Sequence, residues 1–170
     1  MTIMQKYYPR LRKARWLLVA GLLACGPARA DGPVTVSGAW VRGTAGPQTS
    51  TGAFMSIRSS KDVDLVAAES PAAKSVSLHE TIMADGVAKM RPVAKLKIPA
   101  GQTVELKPGA YHVMLEGLKK PLAKGASVPI VLTFEDPDKK RFRIRTKAQV
   151  RALGEGNPPA HEMMPGMNMK

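Results

Sequence analysis

The chain is written in short runs of alternating or β-branched residues, each closed by a breaker. Val34–Val41, Ala53–Ser59, Lys74–Met83, Val87–Val93, Thr103–Leu106, Tyr111–Glu116, Val128–Phe134 and Arg141–Lys147 read as strands. Gly46-Pro47, Asp85-Gly86, Pro99-Ala100-Gly101, Pro108-Gly109 and Asp136-Pro137-Asp138 read as the turns between them. No stretch keeps a helical period over three turns, and no internal repeat is present. A chain punctuated this way buries apolar side chains only by packing sheet against sheet, which predicts an all-β antiparallel sandwich or barrel.

The two ends differ from this pattern. A basic start (Lys6, Arg10, Arg12, Lys13, Arg15), the apolar run Trp16–Cys25 and the small-x-small signature Ala28-Arg29-Ala30 have the layout of an export signal cleaved after Ala30. That run is shorter than the ~20 residues a membrane span needs. Leu22-Leu23-Ala24-Cys25 offers an alternative, a loose lipoprotein box in which Cys25 becomes a lipidated first residue and brings membrane contact. The expected organisation is therefore a signal peptide (1–30), one β-sandwich domain (31–151) and a flexible Met/His-rich tail (152–170). The tail begins with Gly154, Gly156, Pro158 and Pro159, which cannot build a core. The exported product is expected in the periplasm.

Cys25 is the single cysteine, so cleavage after Ala30 leaves no thiol. Disulfides, thiol catalysis and thiolate metal ligands are excluded together, as is a blue-copper electron-transfer site. Six of the 26 Lys and Arg fall within residues 1–30, which carry no Asp or Glu; residues 31–170 keep 20 against 13, a net of +7. The excess is dispersed, with little aromatic interleaving and no nucleic-acid motif, so nucleic acid is not an expected partner. It reads as a solvated surface, with steering toward an acidic protein as the functional alternative.

Within the strand-like runs, His79, Met90, His112 and Met114 stand out. Imidazole and uncharged thioether together favour copper(I) over harder ions. Asp85-Gly86 predicts a two-residue hairpin turn that pairs Thr81 with Met90, leaving His79 and Met90 diagonal on one face. In Tyr111–Leu115, the residues Tyr111, Val113 and Leu115 point to the core while His112 and Met114 point away from it together. Met83 falls on the His79 face as a spare sulfur or as packing at the turn; Met55, Trp40 and Phe54 read as core. At the end of the chain, His161, Met163, Met164, Met167 and Met169 form a second candidate site, which with Glu162 and the Lys170 carboxylate would also suit copper(II).

The spacing His79, ten residues, Met90, twenty-one residues, His112-x-Met114 resembles the signature of the periplasmic copper chaperones of the PCu(A)C family. The flanks resemble it too: Leu78-His79-Glu80-Thr81, Asp85-Gly86-Val87, Lys89-Met90-Arg91-Pro92 and Pro108–Leu115. The similarity runs from about Val34 to Val150. Ala88, where many members carry another methionine, and Arg58-Ser59-Ser60 depart from the pattern without touching the four positions. The resemblance implies a cupredoxin-like (Ig-like) β-sandwich with an exposed copper(I) site made by the two His and two Met. It further implies delivery toward the copper-bearing subunit of cytochrome oxidase, alongside a Sco-like protein of thioredoxin fold, and a C-terminal extension that binds more copper.

Transfer rather than catalysis is the expected activity, since no nucleophile–base pair, carboxylate pair or Gly-rich phosphate loop is present. Two rivals share the sequence features: a copper-sequestering resistance protein, and a metal-free exported sandwich acting as an interaction module.

Overall fold

The computed structural model describes residues 32–84, 86–153 and 155. The export segment, Cys25 and the proposed tail ligands lie outside them. Ten strands follow in order: β1 (Val34–Arg42), β2 (Ser50–Ser59), β3 (Val63–Glu69), β4 (Ser75–Ala84), β5 (Val87–Pro92), β6 (Leu96–Ile98), β7 (Thr103–Leu106), β8 (Tyr111–Glu116), β9 (Ser127–Glu135) and β10 (Arg141–Arg151). The described residues contain no helix.

Hydrogen-bonded neighbours run β5-β4-β8-β2-β1-β10-β9-β3-β6, with β7 added to β2. Every pairing is antiparallel except that of β1 with β10, which is parallel over Trp40–Arg42 and Gln149–Arg151. This path folds over a single apolar filling into a cupredoxin-like sandwich. Leu78, Val113, Leu115, Ala53 and Ile57 come from one side, and Leu65, Ile130, Leu132, Phe134 and Ala148 from the other. Alternation makes this possible: on β8 the odd residues Val113 and Leu115 are wholly buried, which leaves His112 and Met114 to the outer face.

The strand readings hold with two additions. Strands β3 and β6 were not expected, and the breaks in their patterns explain why. A bulge between Leu65 and Ala67 interrupts the alternation of β3, and β6 is three residues long.

The sequence reads Trp40 and Phe54 as core, and both are buried, though they pair with each other outside the main apolar cluster. A bulge in β1 between Ser37 and Trp40, with Gly38 at φ 60°, inserts one extra residue against β2. That residue reverses the parity of the strand: Val34 and Val36 face the filling, whereas beyond the bulge Val41 does and Trp40 turns outward. Trp40 stacks on Phe54, centroids 4.4 Å apart, over the outer face of β1 and β2.

Candidate metal centre

The hairpin β4–β5 has the register expected from Asp85-Gly86, with Ala84, Met83, Ile82 and Thr81 opposite Val87, Ala88, Lys89 and Met90. Gly86 takes φ 75°, which its lack of a Cβ allows. On the other side of β4, His79 stands directly opposite His112 of β8, and Ser77 opposite Met114. Cross-strand partners share a face, so His79, Met90, His112 and Met114 converge on the outer surface of β5-β4-β8. The two imidazole rings lie 5.8 Å apart, centroid to centroid.

Local hydrogen bonds decide which ring nitrogens are open. Pro108-Gly109 turns the chain into β8, with Gly109 at φ 80° and the Ala110 amide donating to the Lys107 carbonyl. The Ala110 carbonyl then accepts from the Thr81 amide at 3.2 Å, which ties the turn to β4, and from His112 Nδ1 at 3.0 Å. A carbonyl only accepts, so Nδ1 of His112 carries the proton and the neutral ring keeps its lone pair on Nε2. His79 Nε2 lies 3.0 Å from Ser77 Oγ, while its Nδ1 is buried without a partner among the described residues. A buried nitrogen without a partner costs about 1–3 kcal/mol and asks for a ligand.

Charge at the site is kept low. Burial pushes the His112 imidazole below the usual histidine value; the Ala110 carbonyl partly offsets this, and the charges of His79 and Arg42 add to the depression. A neutral imidazole is the metal-binding form. Among the described residues no three of His, Cys, Asp and Glu come together, and the soft donors on the face of the two histidines are the sulfurs of Met90 and Met114.

The four side chains differ sharply in exposure. His112 is 5% exposed and Met90 62%; His79 and Met114 are half-buried. His112 is thus the enclosed donor and Met90 the open one. A groove of about 310 Å³ opens on three of the four, walled by Met90, Met114, His112, Thr81, Phe54 and Arg42, and His79 does not line it. Gly52, opposite Met114, leaves room for that wall, since a Cβ there would fall 2.8 Å from the Phe54 ring. Phe54 closes the His112 side at 6.3 Å between centroids. Met83 projects into solvent near the turn, 69% exposed.

Sequence reading missed Ser77, Phe54 and Arg42 as parts of this site. Ser77 carried a usable signal, standing two residues before His79 on the same face. Phe54 and Arg42 did not, because the β1 bulge and the β1–β2–β8 pairing bring them in from distant parts of the chain.

A protein-family profile described as "Putative lipoprotein LpqE-like" matches residues 34–146. A curated relative from Leifsonia xyli subsp. xyli, "Putative lipoprotein Lxx21020", is 36% identical over 129 residues, covering 70% of this chain and 78% of its own. The chain belongs to the LpqE-like family. Among solved structures it is similar to copper(I)-bound DR1885 of Deinococcus radiodurans, with 37% identity, a TM-score of 0.54, and coverage of 73% of this chain and 83% of that one. The apo form of DR1885 matches at 32% identity and TM-score 0.52, covering 88% and 96%. The copper-bound PCuAC domain of PmoF2 shares the fold at 21% identity and TM-score 0.58, covering 71% and 94%. The LpqE-like chain therefore has the PCuAC fold that its His79–Met114 signature resembles.

Proposed function

We propose that this LpqE-like protein binds copper(I) through His79, Met90, His112 and Met114 and hands it to an acceptor outside the cytoplasm. One observation carries the reading: two imidazoles 5.8 Å apart, one presenting an open Nε2 and the other a buried Nδ1 without a partner, share an outer face with two methionines. The copper(I)-bound relative at 37% identity supports the choice of metal.

The donor chemistry supports transfer. Four neutral ligands leave the ion its single charge, so no anionic ligand holds it back. The exposure of Met90 lets an acceptor's donors replace it first and the buried His112 last. A thiolate-rich acceptor wins by softness and charge, which gives the transfer its direction. The copper-bearing subunit of cytochrome oxidase, reached directly or through a Sco-like protein, is the acceptor this chemistry fits. Residues 161–169 would extend capture to copper(II). The lipoprotein names within the family support attachment through Cys25, the alternative to cleavage after Ala30.

A competitive copper(I) titration under anaerobic, reducing conditions tests the reading, with a His79/Met90/His112/Met114 alanine variant and a chain ending at Gly156 beside the full protein. Tight one-to-one binding lost only in the quadruple variant is expected. At a thousandfold over Kd the metal should stabilise the fold by about 4 kcal/mol. Equal binding by all three proteins, or by none, overturns the proposal.

A further inference from the structure

The face that carries the groove also carries charge, and register fixes which residues share it. His112 and Met114 lie on it with Gly52, which faces Met114 across β8–β2. Phe54, two residues on, faces Trp40, and Trp40 in turn faces Gln149 of β10, with Arg42 opposite Arg151. Alternation along β10 adds Lys147 and Arg145, exposed on either side of a strand whose Ala148 and Val150 are buried inward. The outer surface thus runs from Met90 on β5 to Arg42 and Arg151, and turns there along β10, whose Ala148 packs from the opposite layer, toward Lys147 and Arg145.

Two of its cations are held over aromatic rings. The Arg42 guanidinium lies over the Phe54 ring at 5.7 Å and forms part of the groove wall. The Arg151 guanidinium lies over Trp40 at 4.8 Å. Stacking leaves the planar forks charged and pre-oriented. Farther along β10, Arg143 and Arg141 pair with Glu69 and Glu135, whereas Arg145 and Lys147 have no ion pair among the described residues. Three carboxylates lie near this surface: exposed Glu116, two residues beyond Met114; Glu155, paired with Lys124 and within the field of Arg151; and Glu69, paired with Arg143 and in the same cross-strand row as Arg145. Toward the opposite end of β10, Asp62, Asp64, Glu135 and Asp136 line a separate groove together with Lys97 and Lys139. Lys95 pairs with Asp64 there, and Lys139 and Arg141 pair with Glu135, so that end is balanced in charge whereas the surface beside the donors carries an excess of cations.

We infer that the Arg42–Arg151–Lys147–Arg145 surface docks the acceptor, and that the acceptor is a protein with an acidic rim around its own soft-donor site. The inference rests on reading the groove as a copper(I) site. A protein fits better than a lipid surface, because transfer must bring two metal sites within exchange distance and a bilayer lying on this face would cover the groove. Stacked arginines beside a tryptophan also match the side chains that anchor protein interfaces. The neutral ligand set adds a switch. Loading makes the surface one unit more positive and transfer removes that unit, so an acidic acceptor holds the loaded form more tightly than the emptied one. Copper moves as copper(I) with no electron transferred, and each acceptor thiol that becomes a ligand releases its proton to solvent.

The test loads the protein with copper(I) and follows its transfer, by thiolate-to-copper absorption, to two synthetic peptides sharing a Cys-x-x-x-Cys core. One peptide is flanked by glutamates and the other by glutamines. At low salt an Arg145→Gln/Lys147→Gln/Arg151→Gln variant should lose about tenfold in rate toward the glutamate peptide, with no change toward the glutamine peptide. Raising the salt should bring the unmodified protein down to the variant's rate. Equal rates for protein and variant with both peptides at every salt concentration would overturn the inference. So would equal rates accompanied by variant-sensitive binding to vesicles containing one-third phosphatidylglycerol, which would assign the surface to lipid. A protein that takes up no copper(I) at the loading step fails earlier, and that result removes the site itself.

Discussion

Glu80 stands between Arg91 and Tyr111 on the face of β4 opposite His79, with its carboxylate 2.7 Å from the Arg91 guanidinium. Each of the three is the chain neighbour of a proposed ligand: His79, Met90 and His112. The Arg91 and Tyr111 hydrogen bonds hold the Glu80 carboxyl below the usual carboxylate range, and the carboxylate in turn pushes the Tyr111 hydroxyl up. The clamp therefore spans three strands behind the groove. Glu80→Gln should speed amide exchange along β5 while leaving exchange in β9 and β10 unchanged. Because the folded carboxyl titrates low, the clamp is complete above the ordinary carboxylate value and is lost as pH falls through the depressed one. Uniform exchange in protein and variant would show that the hairpin needs no such pinning.

His112 predicts a second pH effect, in the metal-free protein. Its imidazole is held neutral in the fold, below the ordinary histidine value. Above that value both folded and unfolded chains are neutral here and stability is flat. As pH falls below it, the unfolded chain takes up the proton first and stability declines, until the folded ring titrates too. The slope from this one group cannot exceed about 1.4 kcal/mol per pH unit. Thermal melts from pH 7.5 to 5 should slope less for His112→Gln than for the unmodified protein; parallel curves would contradict the assignment.

The two methionines should separate binding from folding. Met90 is 62% exposed on an edge strand, so Met90→Ala should change stability by less than about 0.5 kcal/mol. On the copper reading it should nonetheless weaken copper(I) binding at least tenfold. Met114 is half-buried, and its loss should cost about 1–2 kcal/mol of stability as well as affinity. Paired melts and titrations check this, and an unchanged affinity in Met90→Ala would remove it from the ligand set.

Gly52→Ala tests the wall. The new methyl would lie 2.8 Å from Phe54 Cζ and 3.3 Å from Cε2, forcing the ring to turn. Phe54 stacks on Trp40 and flanks His112, so near-ultraviolet dichroism should change and stability should fall by about 1–3 kcal/mol. An unaltered aromatic spectrum would show that the ring can slide without disturbing Trp40.

The site was legible in the sequence where geometry is local. A two-residue turn sets the register of its hairpin, and alternation sets the face of His112 and Met114. Each pair, His79 with Met90 and His112 with Met114, therefore followed from Asp85-Gly86 and Tyr111–Leu115, whereas bringing the two pairs together took the pairing of β4 with β8. Its surroundings were not legible, because they depend on events that leave little local trace. A single extra residue near Gly38 put buried Trp40 on the outer side of β1, against Phe54 instead of the main cluster. The degree of enclosure was also hidden: strand parity says that His112 points outward, but not that Phe54 will lie beside it. The basic surface escaped for a related reason, since Arg42 and Arg151 are more than a hundred positions apart in sequence.

The parallel pairing of β1 with β10 sets an order of assembly. Strands β2, β4, β5 and β8 can meet once Glu116 has emerged from the ribosome or the export channel, and with them all four proposed ligands. Trp40 and Arg42 can meet Phe54 as soon as β2 is made, but the strand on their other side, with Gln149 and Arg151, comes last of the ten. A chain halted before β10 would own its metal donors but not the surface inferred to admit an acceptor. Capture would then come before delivery in the life of each molecule, with a newborn chain able to hold copper before it can give it away.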